Sequence, residues 1–330
     1  MMACQRMGDA RFEPSGERAR RLDETMRVRL ADSLDHVLGI IAADLRISSS
    51  DALDATAGIR ARCQSPHVFG AYYDLVLAVE RDELDAAAGF AVELVEAVGR
   101  QPPAAWAARL SDRSEAEAER YTRLLLPQDI AATDPDQRTL DTARERIGAA
   151  MALLDRGFPE MAEEIRELLY EIVIATGPDD PKSLTFDGSS SYMMWGAIML
   201  NARGQLSVLD TAQALAHESG HNLLFGLCAN GPLVENDDEE AFSHPLRQDP
   251  RPMDGVVHAA YVIARMHQTV ERLLESGVLD EEQRAAAAKD IQLHREYFAA
   301  SDEVIRSGAL LTPVGKAAME AARAQVAVPA

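Results

Sequence analysis

The sequence has few cysteines, few aromatic residues and no long apolar run. Its three cysteines, Cys4, Cys63 and Cys228, follow no disulfide or zinc-ribbon spacing, and aromatic residues make up 5% of the chain. An odd number of unpatterned thiols favours a reducing compartment, so we expect a cytoplasmic protein. No apolar segment has the length of a signal-peptide core or of a bilayer-spanning helix, so we expect no membrane partner.

Positive charge is also scarce. The 330 residues include 33 lysines and arginines against 54 aspartates and glutamates, for a formal net charge of −21. Such a balance disfavours sequence-independent binding to nucleic acid or to an anionic membrane surface. We therefore expect no nucleic-acid partner, while the composition leaves homo-oligomerisation open.

Apolar residues recur at helical spacing along most of the chain, and strand signals are few. This pattern predicts a mainly α fold with a small β-sheet or hairpin beside a metal-binding helix. We expect a helical N-terminal region over 1–176 and a metal-binding catalytic region over 177–330, together forming one compact unit. The spacing predicts a helix over 160–176, and strand signals follow at 183–186 and 191–201, separated by a glycine-serine stretch that suggests a hairpin or a loop.

The clearest chemical motif lies on a predicted helix over residues 214–225. His217 and His221 are one helical turn apart, so both imidazoles project from one face and can share a metal ion, with Glu218 beside them. Asp210 is the expected N-cap. The surrounding residues are apolar, so the helix is predicted to be buried, where such polar groups need partners. A pair of satisfied core histidines is the alternative, and the apolar setting favours the metal.

A catalytic metal ion usually has three protein ligands and an open position. His258 stands near the start of another apolar helix, with Asp254 as its expected N-cap, and an unpaired imidazole would be costly there. His258 is therefore the leading third ligand, with a satisfied core histidine as the alternative. The other downstream candidates are Glu235, Asp237, Asp238, Glu239, Glu240, His244, Asp249 and Asp254. The acidic run over 235–240 is most simply a solvated loop.

Three arginines are candidates for binding an anionic cosubstrate. Arg247 and Arg251 lie on a proline-rich stretch before the His258 helix, and Arg265 lies two turns beyond His258. A guanidinium beside a metal ion can bind a carboxylate through two parallel hydrogen bonds. A single arginine is more often part of a surface salt bridge, but two on one proline-stiffened loop strengthen the cosubstrate hypothesis.

Two segments together resemble a known bacterial family. The residues HESGHN at 217–222, followed by FSHPLRQDPRPMDGVVH at 242–258, resemble the α-ketoglutarate-HExxH-type peptide β-hydroxylases. The similarity is specific from about residue 190 to residue 265, and upstream it is a general likeness of a helical region.

The resemblance implies an Fe(II) oxygenase that uses α-ketoglutarate and O2 to hydroxylate the β-carbon of a residue in a ribosomally synthesised precursor peptide. It implies His217, His221 and His258 as iron ligands. The matching Asp-Pro-Arg-Pro segment at 249–252 makes Arg251 the leading anchor for the keto acid. Three histidines differ from the common two-histidine, one-carboxylate oxygenase triad, which leaves the identity of the metal open.

A zinc metallopeptidase is the main alternative, with Glu218 as the general base that activates a zinc-bound water. The chain has no third histidine six residues after His221, which excludes the metzincin ligand set. It also lacks a downstream glutamate pattern, and a simple hydrolase would not need the arginine-rich loop. A metal-stabilised or degenerate binding protein without turnover is a third class, and the intact HExxH motif argues against degeneracy.

Overall fold

Helices dominate the architecture. The computed structural model describes residues 11–41, 47–98, 100, 106–178, 184–243 and 250–327. Within these ranges there are eleven α-helices, and none of them is long and apolar enough to cross a membrane. The helices are α1 (Gly16–Ile41), α2 (Ser49–Ala61), α3 (Pro66–Glu80), α4 (Leu84–Ala97), α5 (Glu115–Leu125), α6 (Gln137–Gly157), α7 (Pro159–Leu168), α8 (Val208–Cys228), α9 (Met253–Glu275), α10 (Glu281–Gly308) and α11 (Pro313–Val326).

A small sheet accompanies the helices, so the predicted mainly α fold with a small sheet is confirmed. Its strands are β1 (Ala107–Ala108), β2 (Glu171–Ala175), β3 (Gly188–Ser190) and β4 (Ala197–Asn201), in the order β1-β2-β4-β3. Strands β1, β2 and β4 are parallel, and β3 is antiparallel to β4. Both central strands, β2 and β4, are buried along their whole length, as is usual for parallel pairs. A separate antiparallel pair joins β5 (Ala241–Phe242) to β6 (Arg251–Pro252).

The chain forms two compact units. The first contains the described parts of Met1–Ala19, Glu145–Arg166 and Gln205–Ala330, and the second contains those of Arg20–Arg144 and Glu167–Gly204. Each unit is therefore assembled from stretches that are distant in sequence. The boundary that we expected between residues 176 and 177 falls inside the second unit.

The predicted helix over 160–176 is wrong in its second half. Helix α7 ends at Leu168, and the chain continues into β2. The segment Glu171–Ala175 pairs with β1 on one side and with β4 on the other. Its consecutive β-branched residues suit a strand buried on both faces, and this tertiary pairing overrides the local helical spacing.

The strand predicted over 191–201 begins only at Ala197. Gly196 has a φ of +83°, and a Cβ atom at this position would lie 2.4 Å from Cδ2 of Tyr170. Only glycine adopts this backbone conformation without strain, so the chain turns here before it enters β4. In the other predicted strand, residue 183 lies outside the described residues and 184–186 are not a strand. Instead, β3 occupies the stretch expected as a hairpin or a loop and pairs antiparallel with β4.

A buried ion cluster holds the N-terminal segment of the first unit. The carboxylate of Glu164 accepts hydrogen bonds from Arg18, from Arg265 and from the backbone N–H of Ser15. Both Glu164 and Arg265 are fully buried, and Arg265 also donates to the carbonyl of Phe12 at 2.9 Å. Burial alone would raise the pKa of Glu164, but the two arginines lower it, so the carboxylate stays ionised.

We expect Glu164→Gln to lower the free energy of unfolding by about 3–5 kcal/mol, because it leaves two buried guanidinium groups without their anion. The exposed ion pair between Glu167 and Arg20 provides a control, and Glu167→Gln should cost about 1 kcal/mol or less. Urea denaturation followed by circular dichroism measures both changes. Equal effects of the two substitutions would contradict this view of the buried cluster.

Candidate metal centre

The HExxH motif lies in the middle of helix α8. Ser207 is the N-cap, since its hydroxyl accepts a hydrogen bond from the N–H of Asp210 at 3.0 Å. Asp210 is the N-cap expected from the sequence. Its carboxylate instead accepts a hydrogen bond from the N–H of Ser207 at 3.0 Å, which completes a capping box. The cap therefore lies three residues earlier than predicted, and His217 and His221 still share one helical face.

Helix α9 supplies His258. The helix begins directly after Pro252, so Asp254 lies in the first turn and is not the predicted cap. The Asp254 Oδ2 atom is 3.7 Å from Nε2 of His258, one turn further along the helix. A carboxylate at this distance favours one orientation of the imidazole and leaves its other nitrogen, Nδ1, to face helix α8.

Close packing of α8 and α9 brings the two sets of side chains together. A Cβ atom added at Gly220 would lie 3.2 Å from Cγ1 of Val262 and 3.4 Å from Cγ of Arg265. A larger residue at this position would therefore push against α9. The glycine inside the motif permits the short distance between the helices that the histidines require.

His221 and His258 are in direct contact. Their Nδ1 atoms are 3.2 Å apart, and their rings are stacked with centroids 5.4 Å apart. The ring of His217 lies edge-on to that of His221, with centroids 5.0 Å apart. The structure therefore gathers the three histidines predicted as ligands into one cluster inside the first unit.

The nitrogens of His217 face other partners. Nδ1 is 3.3 Å from the sulfur of Met266, and Nε2 is 3.9 Å from Oε1 of Glu218. Glu218 is itself buried, with 4% of its surface exposed, whereas 33% of the His217 side chain remains accessible. Glu218 thus lies beside the cluster, where it can orient His217 or a small bound molecule.

Burial keeps the three imidazoles neutral. It lowers the pKa of His217 to about 4 and lowers the pKa of His221 and of His258 as well. The neighbouring histidines and the positive charge of Arg251 depress the pKa of His221 further, while Asp254 partly offsets the effect at His258. Neutral imidazole is the form that coordinates a metal ion, so no proton needs to leave at neutral pH.

The histidine pair meets the distance requirement for a shared metal ion. Two nitrogens that each lie about 2.0–2.1 Å from one ion, at angles of about 90° to 110°, are about 2.9–3.4 Å apart. The 3.2 Å between His221 and His258 falls in this range. Among the described residues, no group of three or more histidine, cysteine, aspartate or glutamate side chains is arranged to hold a metal ion, so the present geometry presents a pair of nitrogens and not a complete ligand set.

An aromatic ring packs against two histidines of the cluster. Phe225, one turn after His221, has its ring centroid 6.3 Å from that of His221 and 5.5 Å from that of His258. Burial raises the pKa of Cys228 to about 12, so this thiol stays protonated and does not compete as a thiolate ligand. The contact between His221 and Phe225 could have been predicted from the sequence, because residues four apart are neighbours on a helix surface.

Of the two candidate arginines that the structure describes, Arg251 is the one whose charge acts on the cluster. It is half-buried on β6, its Cβ and Cδ lie over Gly255, and its charge acts on His221. Arg265 has a different role, because its guanidinium is fully buried and paired with Glu164. This corrects the expectation that Arg265 binds a cosubstrate. Arg247 lies outside the described residues.

Most of the other candidate ligands that the structure describes are exposed to solvent. Glu235 and the acidic residues over 237–240 are exposed, in agreement with the solvated loop expected there. His244 and Asp249 lie outside the described residues. Of the non-histidine candidates that the structure describes, only Asp254 contacts a histidine of the cluster through its side chain.

A second histidine pair was not anticipated. His267 on α9 and His294 on α10 are buried, with ring centroids 6.4 Å apart, and burial lowers the pKa of each to about 4. A charge on His217 would lower the pKa of His294 further, which places this pair next to the cluster. No spacing in the sequence links these residues, because they come from two helices brought together by folding.

Comparison of the sequence with known proteins finds no matching family model and no matching curated protein.

We expect His221→Ala and His258→Ala each to weaken metal binding by more than about 100-fold, since loss of even an outer partner of a ligand costs about 10–100-fold. Zn(II) is a suitable air-stable probe, and metal content after dialysis is the measurement. His36 is exposed and distant in sequence, so His36→Ala should retain the wild-type stoichiometry. Full retention of metal by His258→Ala would point to Glu235, His244 or Asp254 as the third ligand.

Proposed function

We propose that this protein is an Fe(II)- and α-ketoglutarate-dependent oxygenase that hydroxylates the β-carbon of a residue in a ribosomally synthesised precursor peptide in the cytoplasm. The observation that carries the proposal is the contact between His221 and His258, 3.2 Å apart, with Arg251 close enough to alter the pKa of His221. The resemblance of 217–222 and 242–258 to peptide β-hydroxylases supports the same reaction.

The three histidines would hold the metal. His221 and His258 present neutral nitrogens at a suitable separation, and His217 lies one ring away. A bound ferrous ion would supply the activation of O2 that oxidation of an unactivated C–H bond requires. Three protein ligands leave coordination positions for the keto acid and for O2. Phe225 excludes water from one side of the cluster, which protects a reactive centre from side reactions.

Arg251 would bind the distal carboxylate of α-ketoglutarate. Its guanidinium lies near a cluster of neutral imidazoles, so an incoming dianion finds a positive charge and no carboxylate among the three proposed ligands. An arginine–carboxylate pair can form two parallel hydrogen bonds, which set the orientation of the keto acid as well as its affinity. Asp254 lies on the other side of His258 and would hold that imidazole in place.

A zinc peptidase remains the second candidate, because Glu218 is buried beside His217. In that reaction, Glu218 would accept a proton from the attacking water. In the oxygenase, Glu218 would orient His217 or the peptide without taking part in proton transfer. The two roles predict different consequences for the loss of this one carboxylate.

We expect Arg251→Lys to weaken α-ketoglutarate binding by about tenfold or more, because lysine keeps the charge but loses the second of two parallel hydrogen bonds. Anaerobic calorimetry with the Fe(II)-loaded protein measures the affinity, and iron content should not change. Arg284→Lys, at an exposed site on α10, serves as the matched control. Unchanged affinity in the Arg251 variant would exclude this residue as the anchor.

We expect the wild-type protein to form succinate from α-ketoglutarate in an Fe(II)- and O2-dependent reaction, and Glu218→Gln to retain about a tenth or more of that rate. A general base contributes about 100-fold or more to a reaction that depends on it, so a peptidase would lose most of its activity in this variant. Casein cleavage by the Zn(II)-loaded protein is the parallel assay. Keto-acid-independent cleavage that disappears in Glu218→Gln, without succinate, would favour the peptidase.

A further inference from the structure

The second unit contains a pocket that has no part in the proposed reaction. Its volume is about 200 Å³, room for roughly six or seven waters at about 30 Å³ each. It is lined by residues from five elements and their flanking loops. The ionisable groups of most interest on its walls are His67, Arg100, Asp112, Arg113, Glu117 and Glu171.

The floor of the pocket is a closed hydrogen-bonded group. Arg113 forms an ion pair with Glu171, and the hydroxyl of Tyr121 donates to the same carboxylate. The guanidinium of Arg113 also lies 4.4 Å from the ring centroid of Tyr121. All three side chains are buried, and burial raises the pKa of Tyr121, which keeps its proton in place. The floor is therefore rigid and close to neutral overall.

Arg100 and Glu117, at the rim of the pocket, carry opposite charges, and their closest ion pairs are long. Nη1 of Arg100 is 3.7 Å from Oε1 of Glu117, and Nη2 is 3.7 Å from a carboxylate oxygen of Glu96, both beyond hydrogen-bond length. The same Glu117 oxygen is 3.5 Å from Nε2 of His67, which lies closer, at 3.1 Å, to Glu93. Within the described residues, the terminal nitrogens of Arg100 and Oε1 of Glu117 therefore have room for a stronger partner.

Charge and size together select the ligand. A simple anion would face the carboxylates of Asp112, Glu117 and Glu171, and a simple cation would face two guanidinium groups. A molecule with one charge of each sign satisfies both sides. Ser65, Ala97 and Ala108 also line the pocket, and the two alanines provide an apolar surface suited to a small aliphatic group.

We propose that this pocket binds a small zwitterion of the α-amino acid class, with its carboxylate on Arg100 and its ammonium group on Glu117. The two rim contacts replace long ion pairs by charge-assisted hydrogen bonds, which are about twice as strong as neutral ones. The proposal concerns binding and assigns no reaction to this pocket. It is independent of the metal cluster and of the reaction proposed there.

Calorimetric titration of the full-length protein with L-alanine tests the proposal. We expect one site with a Kd of about 1 mM or below. Propionate and ethylamine, which each keep one of the two charges, should bind at least about tenfold more weakly. Saturable binding of either single-charge probe as tight as that of L-alanine would overturn the assignment, as would no L-alanine binding at roughly ten times the expected Kd.

Two variants with a matched control locate the ligand. Arg100→Gln and Glu117→Gln should each weaken L-alanine binding at least about tenfold, whereas Arg81→Gln, at an exposed site in the same unit, should bind as the wild type does. Glutamine at 117 can keep the capping-box bond to the N–H of Ser114, so that helix α5 still begins correctly. Wild-type affinity in both rim variants would place the ligand elsewhere.

Discussion

The buried carboxylate of Glu164 determines where helix α9 can lie. Arg265, on that helix, has a fully buried guanidinium, and a buried cation is tolerated only next to an anion. The ion pair with Glu164 therefore selects one rotation of α9 about its axis. His258 lies on the same helix two turns earlier, so this rotation also sets the direction of its imidazole. Arg18 and the N–H of Ser15 bind the same carboxylate and attach the N-terminal segment to the first unit.

A second constraint acts at the contact between α8 and α9. Gly220 has no side chain, so Val262 and the stem of Arg265 can pack directly on the backbone of the motif helix. The result is a cluster of imidazoles in a desolvated setting. Desolvation disfavours the protonated imidazolium, and the neutral imidazole is the form that coordinates a metal ion. The chemistry that the proposal assigns to this cluster depends on the neighbouring charges. Arg251 would bind an anionic cosubstrate, and Glu218 would act as the general base in a hydrolytic reaction.

Local pattern predicted that α8 and α9 exist, but it did not predict their first residues or the correct bounds of the strands of the sheet. The apolar periodicity of the residues in α8 and α9 continues through both helices, so their existence was predictable. The segment Glu171–Ala175 also follows helical spacing, yet it is a strand because β1 and β4 flank it. Backbone conformation decided the start of β4, since Gly196 turns the chain at a positive φ. The caps of α8 and α9 were misplaced because Ser207 and Pro252 precede the acidic residues that the sequence suggested.

The sequence by itself determined the one-turn spacing of His217 and His221, the apolar character of their helix and the choice of His258 as a partner. These follow from periodicity and from the cost of burying an imidazole, both of which are local properties. Only the tertiary structure decided which residues meet. It paired Arg265 with Glu164 across a hundred residues, stacked His258 on His221 and added His267 and His294 nearby. Contacts of this kind depend on how helices pack, because the sequence specifies the face of a helix but not the neighbour that covers it.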